Sequence, residues 1–342
     1  MTAALVLRAV IGAALVAYVL SGVADFGAGV WDLLARGRLA ERQRAAIAHA
    51  IAPIWEANHI WLILVVVLAF TGFPVAFAVV ATALHIPIAM ALVGVVLRGA
   101  AFTFRAYGLQ RSDLRARWGW VFAWSSVVTP ICLGLVVGGM SSDAIEVEGG
   151  RVVSGYLAGW TSPFAWGVGA LTLACAALLA AVYLAADLDD DAELQAAFRR
   201  RAMICEVITG ACALVVALLA ARDSPRLWDA LLAGPWALGV HVAAFAAATT
   251  TLWALLTRRF ALARVTVGLQ VAAVVVGWGV ASGDDLVLGA VPLYAAGVVP
   301  HVVEPVLWTL AASGVVLVPA LFWLLRVFKS RRASTDEPAP EA

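Results

Sequence analysis

Residues 164–186 read FAWGVGALTLACAALLAAVYLAA, a run without one charge, bounded by Ser162-Pro163 and Asp187. A hydrocarbon core is crossed by about 20 mostly apolar residues, so this run reads as a transmembrane helix. Working outward, eight further stretches of the same kind lie at roughly 4–24, 54–73, 75–97, 118–139, 202–221, 236–256, 262–282 and 305–328. The 54–73 and 75–97 stretches are joined only by Gly72-Phe73-Pro74, which reads as a tight turn. Composition supports the same class: 63% of the 342 residues are hydrophobic and 13% charged, against about 25% charged in a soluble domain. The 14 tryptophans suit aromatic rings at two membrane–water interfaces. Mean hydropathy is +0.95. The expectation is an all-α polytopic membrane protein of nine helices, arranged as two four-helix bundles plus one peripheral helix. A single integral-membrane domain fills 1–330, and the polar, proline-containing residues 331–342 read as a disordered cytoplasmic tail.

Charge placement orients the chain. Alternate loops must share a side, and cytoplasmic loops carry the excess of Lys and Arg. The loops after spans one, three, five and seven, with the C-terminal end, hold 19 of the 23 basic residues, and the opposite set holds 3. The last, Arg8, sits inside span one. The N-terminus is therefore expected outside and the C-terminus in the cytoplasm. With no basic residue ahead of the first apolar run, the start does not read as a cleavable signal.

Other classes fall away. A net charge of +1 gives no footprint for nucleic acid. Cys132, Cys175, Cys205 and Cys212 all lie in apolar runs without a Cys-x-x-Cys pair, so neither a disulfide framework nor a zinc or iron–sulfur site is expected. No P-loop or dinucleotide fingerprint occurs on any loop.

Ionisable residues at membrane depth are costly and mark candidate sites. Asp25 ends span one; Glu56 and His59, three apart on one helix face, open span two with Asn58 between them. All three ionisable groups fall toward the cytoplasmic side. They read either as a polar entrance for protons or as interfacial residues whose heads reach water. Glu206 near the start of span six and His241 in span seven echo Glu56 and His85, the latter placed mid-way along span three. Spans one to four and five to eight would then form a parallel repeat. The His301–Glu304 pair lies between Pro300 and Pro305, which favour a turn, and the acids 187–191 followed by Arg199–Arg201 read as a solvated loop.

Three stretches resemble a known family. The end of span one, Ala24-Asp25-Phe26-Gly27-Ala28-Gly29-Val30-Trp31, is similar to the Phe-Asp-x-Gly-x-Gly of subunit II of the cytochrome bd-type terminal oxidases. Ala52-Pro53-Ile54-Trp55-Glu56-Ala57-Asn58-His59-Ile60-Trp61-Leu62 resembles the family's Pro-x-Trp-Asp-Gly-Asn-x-x-Trp-Leu. Arg98 and Arg105, read as lying in the loop after span three, match its paired arginines. Glu56 stands for the usual Asp, Ala57 for Gly, and Ala24 for Phe, the pattern of a divergent branch. The resemblance implies a prokaryotic plasma-membrane subunit of a quinol oxidase that reduces O2 to water. It implies no haem and no metal in this chain. Haems b and d, or b only, and the quinol site would belong to the partner subunit I, with a structural quinone left open. Membrane lipid is the other partner. The acids at the Asp25 and Glu56 positions would line a proton route from the cytoplasm, and no catalytic residue is expected here. The rival is a proton-coupled secondary transporter, which should show matched broken helices near the midplane.

Overall fold

The computed structural model describes residues 2–51, 55–107 and 112–334, without the side chains of 51–58, 105–116, 318, 321, 322 and 324–334. Its first apolar run is one crossing helix of 32 residues: α1 (Thr2–Tyr18), a π-helical segment (Val19–Val23) and α2 (Ala24–Leu33). A polar helix α3 (Ala40–Ile51) leads to α4 (Trp55–Gly72). Phe73 breaks the chain, and α5 (Pro74–Ala83) leaves at 117° to α4. Then come α6 (His85–Tyr107), α7 (Ser112–Met140), α8 (Pro163–Asp187), α9 (Ala192–Asp223), α10 (Pro225–Ala233), α11 (Ala237–Leu256), α12 (Phe260–Ala281) and α13 (Pro300–Ser334). Two short antiparallel hairpins interrupt the helices: β1 (Val147–Glu148) with β2 (Arg151–Val152), and β3 (Asp285–Val287) with β4 (Val291–Pro292). Among the described residues eight helices are long and apolar enough to cross a membrane, or nine if the bent α4–α5 pair forms one span.

The uncharged run 164–186 forms α8, a post shared by several helices. It contacts α2, α7, α9 and α12, and its small residues Ala176, Ala177, Ala180, Ala181 and Ala185 are buried. With lipid as apolar as leucine, helices associate through close packing, and small residues let the backbones approach. Gly134 and Gly138 on α7 show this. A Cβ at Gly134 would stand 2.6 Å from the Gly169 Cα, and one at Gly138 2.7 Å from the Ala165 Cα.

Several expectations need correction. Span three, placed at 75–97, is instead α6, crossing over 85–104. Leu84 breaks the helix there, with φ −117° and ψ 22°, and Pro87 falls in the first turn of α6, where a missing N–H leaves no helical bond unmade. His85 therefore opens a helix; it is exposed, its Nδ1 lies 2.9 Å from the Thr82 carbonyl, and its ring meets Tyr156 of the α7–α8 connection edge-on. Arg98 is not in a loop but inside α6. His301 and Glu304 lie in the first turns of α13, which Pro300 opens at a position that suits proline; both are exposed. The same helix runs on through Ser334, into the stretch read as a disordered tail, while 335–342 lie outside the described residues.

The acid-rich turn before α9 is more than a solvated loop. Asp191 caps α9 by accepting the Leu194 N–H and pairs with Arg42 at 2.5 Å; Glu193 takes both Arg38 and Arg42. Asp187 pairs with Arg264, and Arg199 donates to the Leu255 and Leu256 carbonyls at the end of α11. Arg8, the lone charge in α1, does similar work at the other end. Its guanidinium donates to the Gly279 and Gly283 carbonyls at the end of α12, where cations find unpaired acceptors.

Candidate functional site

Asp25 stands at the second position of α2, and three helices meet on it. Arg98 of α6 donates through Nη1 to Asp25 Oδ2 at 2.6 Å and through Nη2 to the Asp25 main-chain carbonyl at 3.0 Å. Its Nε donates to Ser126 Oγ of α7 at 3.0 Å. Phe26 and Phe122 cover the guanidinium, with ring centroids at 4.9 and 4.8 Å. The side chains of Asp25 and Arg98 are only 3% and 2% exposed. A lone charge at this depth would be prohibitive; here two opposite charges cancel and the cation keeps its hydrogen bonds.

The glycines of the Asp25–Trp31 stretch explain how the site closes. A Cβ at Gly27 would collide with the Ala176 carbonyl of α8, and one at Gly29 with the Ser126 hydroxyl. Trp31, one turn further on, donates its indole N–H to the Ala177 carbonyl at 2.9 Å. The spacing of glycine, glycine and tryptophan thus presses α2 against α8 and α7 and presents Asp25 to Arg98.

Among the described residues, two polar atoms in this pocket have no hydrogen-bond partner: Asp25 Oδ1 and Tyr18 Oη, which lies on the far side of the π-helical segment. Oδ2 is committed to Arg98, which leaves Oδ1, among those residues, as the atom of this carboxyl open to a hydrogen bond or a proton. His59 reaches the same region from α4, its ring edge-on to Phe26 at 6.1 Å between centroids. The backbone of Glu56 and Asn58 lies in α4, one turn or less before His59; their side chains, and that of Arg105, lie outside the described residues.

Glu206 and His241 do not join this site. His241 Nδ1 lies 2.7 Å from the Ala237 carbonyl of its own helix. Glu206 accepts from Gln270 Nε2 of α12 at 2.7 Å, and both residues are buried. The halves nevertheless echo each other at a further point: α5 and α10 are short helices that follow α4 and α9, each opened by a proline, Pro74 and Pro225. Ser126, Gln270 and Tyr18 are uncharged at neutral pH and do not stand out among ionisable groups; the polar pair Ser125-Ser126 and the lone amide Gln270 inside apolar runs are the signals the sequence carries for them. No group of three His, Cys, Asp or Glu able to hold a metal occurs among the described residues.

Comparison with known proteins bears on this geometry. The sequence profile of the family described as "Cytochrome bd terminal oxidase subunit II" matches residues 3–328. The chain belongs to that family. It is similar to the cytochrome bd ubiquinol oxidase subunit 2 of Bacillus subtilis, with 30% identity over 33% of this chain and 32% of the relative. A putative cytochrome bd menaquinol oxidase subunit II of the same organism is 26% identical over 58% of this chain and 56% of its own length. The cytochrome bd-I ubiquinol oxidase subunit 2 of Escherichia coli K12 is 24% identical over 38% and 34%. The matched regions thus span between a third and somewhat over half of these curated relatives. In fold the agreement is broader: a chain of the bd oxidase from Geobacillus thermodenitrificans superposes with a TM-score of 0.81 at 22% identity, covering 96% of this chain and 99% of that one. As a cytochrome bd subunit II the chain is a multi-pass membrane protein of the respiratory terminal oxidases, and the transporter reading is set aside.

Proposed function

We infer that this chain is the haem-free second subunit of a quinol-oxidising oxygen reductase in a prokaryotic plasma membrane. Its partner is a haem-bearing subunit I, and its N-terminus faces outward. In this reading the partner's haems supply the oxygen chemistry and the quinol supplies electrons. The present chain supports delivery of the protons that reduction of O2 to water consumes.

The observation that carries this role is Asp25 Oδ1, without a partner among the described residues and buried beside a carboxylate oxygen fixed by Arg98. Arg98 is a positioning residue. Its two contacts to Asp25, one to the side chain and one to the main chain, fix the direction in which Oδ1 points. Glu56, on the helix that brings His59 against Phe26, would hand protons inward from the cytoplasmic end. Glu there lengthens the reach by one methylene relative to the family's Asp. The test is quinol-driven oxygen uptake by the chain purified together with the product of its neighbouring gene. A haem-replete complex that consumes oxygen supports the assignment; a complex without haem, or a chain that assembles with no partner, refutes it.

A further inference from the structure

A second buried carboxyl lies in the half of the molecule that the proposed proton route does not use. Glu206 is 14 residues into α9, or about 21 Å along it at ~1.5 Å per residue. Gln270 faces it from the middle of α12. They are each 7% exposed, and Thr209, one turn on from Glu206, is 4% exposed.

One hydrogen bond joins the pair, from Gln270 Nε2 to Glu206 Oε1 at 2.7 Å. The two oxygens left over, Glu206 Oε2 and Gln270 Oε1, are both buried and both without a partner among the described residues. No Lys or Arg forms an ion pair with Glu206 among the described residues. The neighbouring titratable groups are thiols, Cys175 on α8 and Cys205 on α9. This is the opposite of the Asp25 site, where a guanidinium answers the carboxylate.

Two orphaned acceptors flanking one amide–carboxyl hydrogen bond are what remains when one hydrogen is left out of the pair. A carboxylate has only acceptors, but a carboxylic acid gains one O–H donor. With a proton on Oε2, Glu206 donates to Gln270 Oε1 while still accepting from Gln270 Nε2. The two groups then close a ring of two hydrogen bonds, and both orphans are satisfied. The alternative leaves an unpaired negative charge and an unpaired amide oxygen in an apolar interior, the costlier arrangement.

We propose that Glu206 and Gln270 form a proton-binding site, a neutral acid–amide pair that clasps α9 to α12. The proton is its ligand, and the clasp holds without a metal ion or a counter-cation. The hydroxyls of Ser125, Ser126, Thr129, Thr251 and Thr266 bond back to their own helices, whereas Thr209 Oγ1, one turn on from Glu206, has no partner among the described residues.

The clasp is tested on the full chain in its detergent-solubilised, partner-bound form. Infrared difference spectra between wild type and Glu206→Gln at pH 7 should show loss of a protonated carboxylic-acid carbonyl band. That band should shift in Gln270→Leu, which removes its hydrogen-bond partner, and should not respond to sodium or potassium ions. In parallel, Glu206→Gln should melt within about 2 °C of wild type, because two facing amides can rebuild the same ring of hydrogen bonds. Glu206→Leu should melt clearly lower. Carboxylate bands in place of the acid band overturn the proposal. So does a Glu206→Gln variant as unstable as Glu206→Leu, or a melting temperature that rises with added sodium in wild type alone. Because oxygen uptake is not the readout, a failure here leaves the oxidase assignment standing.

Discussion

Replacing Asp25 by Asn keeps the outline of the side chain but removes its charge, stranding the Arg98 guanidinium in a pocket where it is 2% exposed. Breaking a buried ion pair from one side costs about 3–5 kcal/mol, since the remaining charge is neither solvated nor compensated. The two covering rings and the Ser126 hydroxyl soften that cost without supplying a negative charge. At about 2.1 cal/mol/K per residue, unfolding 342 residues carries roughly 0.7 kcal/mol per degree, so the expected fall in melting temperature is on the order of 4–7 °C. The decisive comparison is a double-mutant cycle. Asp25→Asn/Arg98→Met leaves two neutral groups of similar volume, and its loss should be smaller than that of Asp25→Asn alone. The assay is thermal unfolding of all four proteins in one detergent at one salt concentration. If the double variant is destabilised by the sum of the singles, the charges do not depend on each other and the reasoning fails.

Other outcomes follow from the same structure. Gly27→Ala should prevent α2 from seating on α8, since its Cβ meets backbone instead of a movable side chain; accumulation in the membrane should fall sharply, while Gly12→Ala, with open space around it, should accumulate normally. Glu56→Gln should slow oxygen uptake in a haem-replete complex and Glu56→Asp should retain more of it; unchanged turnover in Glu56→Gln would remove this residue from the proton route. Reporters fused after Arg111 and near Glu148 should read opposite sides of the membrane, cytoplasmic and external. The Arg42 guanidinium, with help from the Leu194 N–H, holds the Asp191 carboxyl below its ordinary 3.8. Its stabilising contribution is therefore complete above that value and is lost as pH falls below it. Hydrogen exchange along α3 should rise in that acid window, and Arg42→Gln should abolish the pH dependence.

Most of the helices long enough to cross a membrane are visible as apolar runs, because the bilayer imposes a minimum length that no soluble core requires. What hydropathy cannot register is a partner. Hydropathy ends span three at Leu97, where Arg98 follows, yet the helix continues: the charge is cancelled by Asp25, far away in sequence. The beginning of that span was misplaced for the complementary reason. Residues 74–83 are apolar enough to pass for membrane, but they turn away from α4 and stop at Leu84. Pro300 suits a turn as well as a helix start, and here it starts a helix. An acid in an apolar run, such as Asp25, is conspicuous; an uncharged amide, such as Gln270, is not.

The π-helical segment at Val19–Val23 gives the first crossing helix two allegiances. Before it, α1 packs on α4, α12 and α13; after it, α2 packs on α8, α7 and α3. A wider turn breaks the angular phase, so a helical wheel drawn through all 32 residues superimposes two unrelated faces. Tyr18 and Asp25 are seven residues apart and would stand nearly in line on an uninterrupted α-helix; here their bearings are set independently. The segment lets a single rod serve two packing surfaces: α1 takes its bearing from its own neighbours while α2 stays keyed to Arg98.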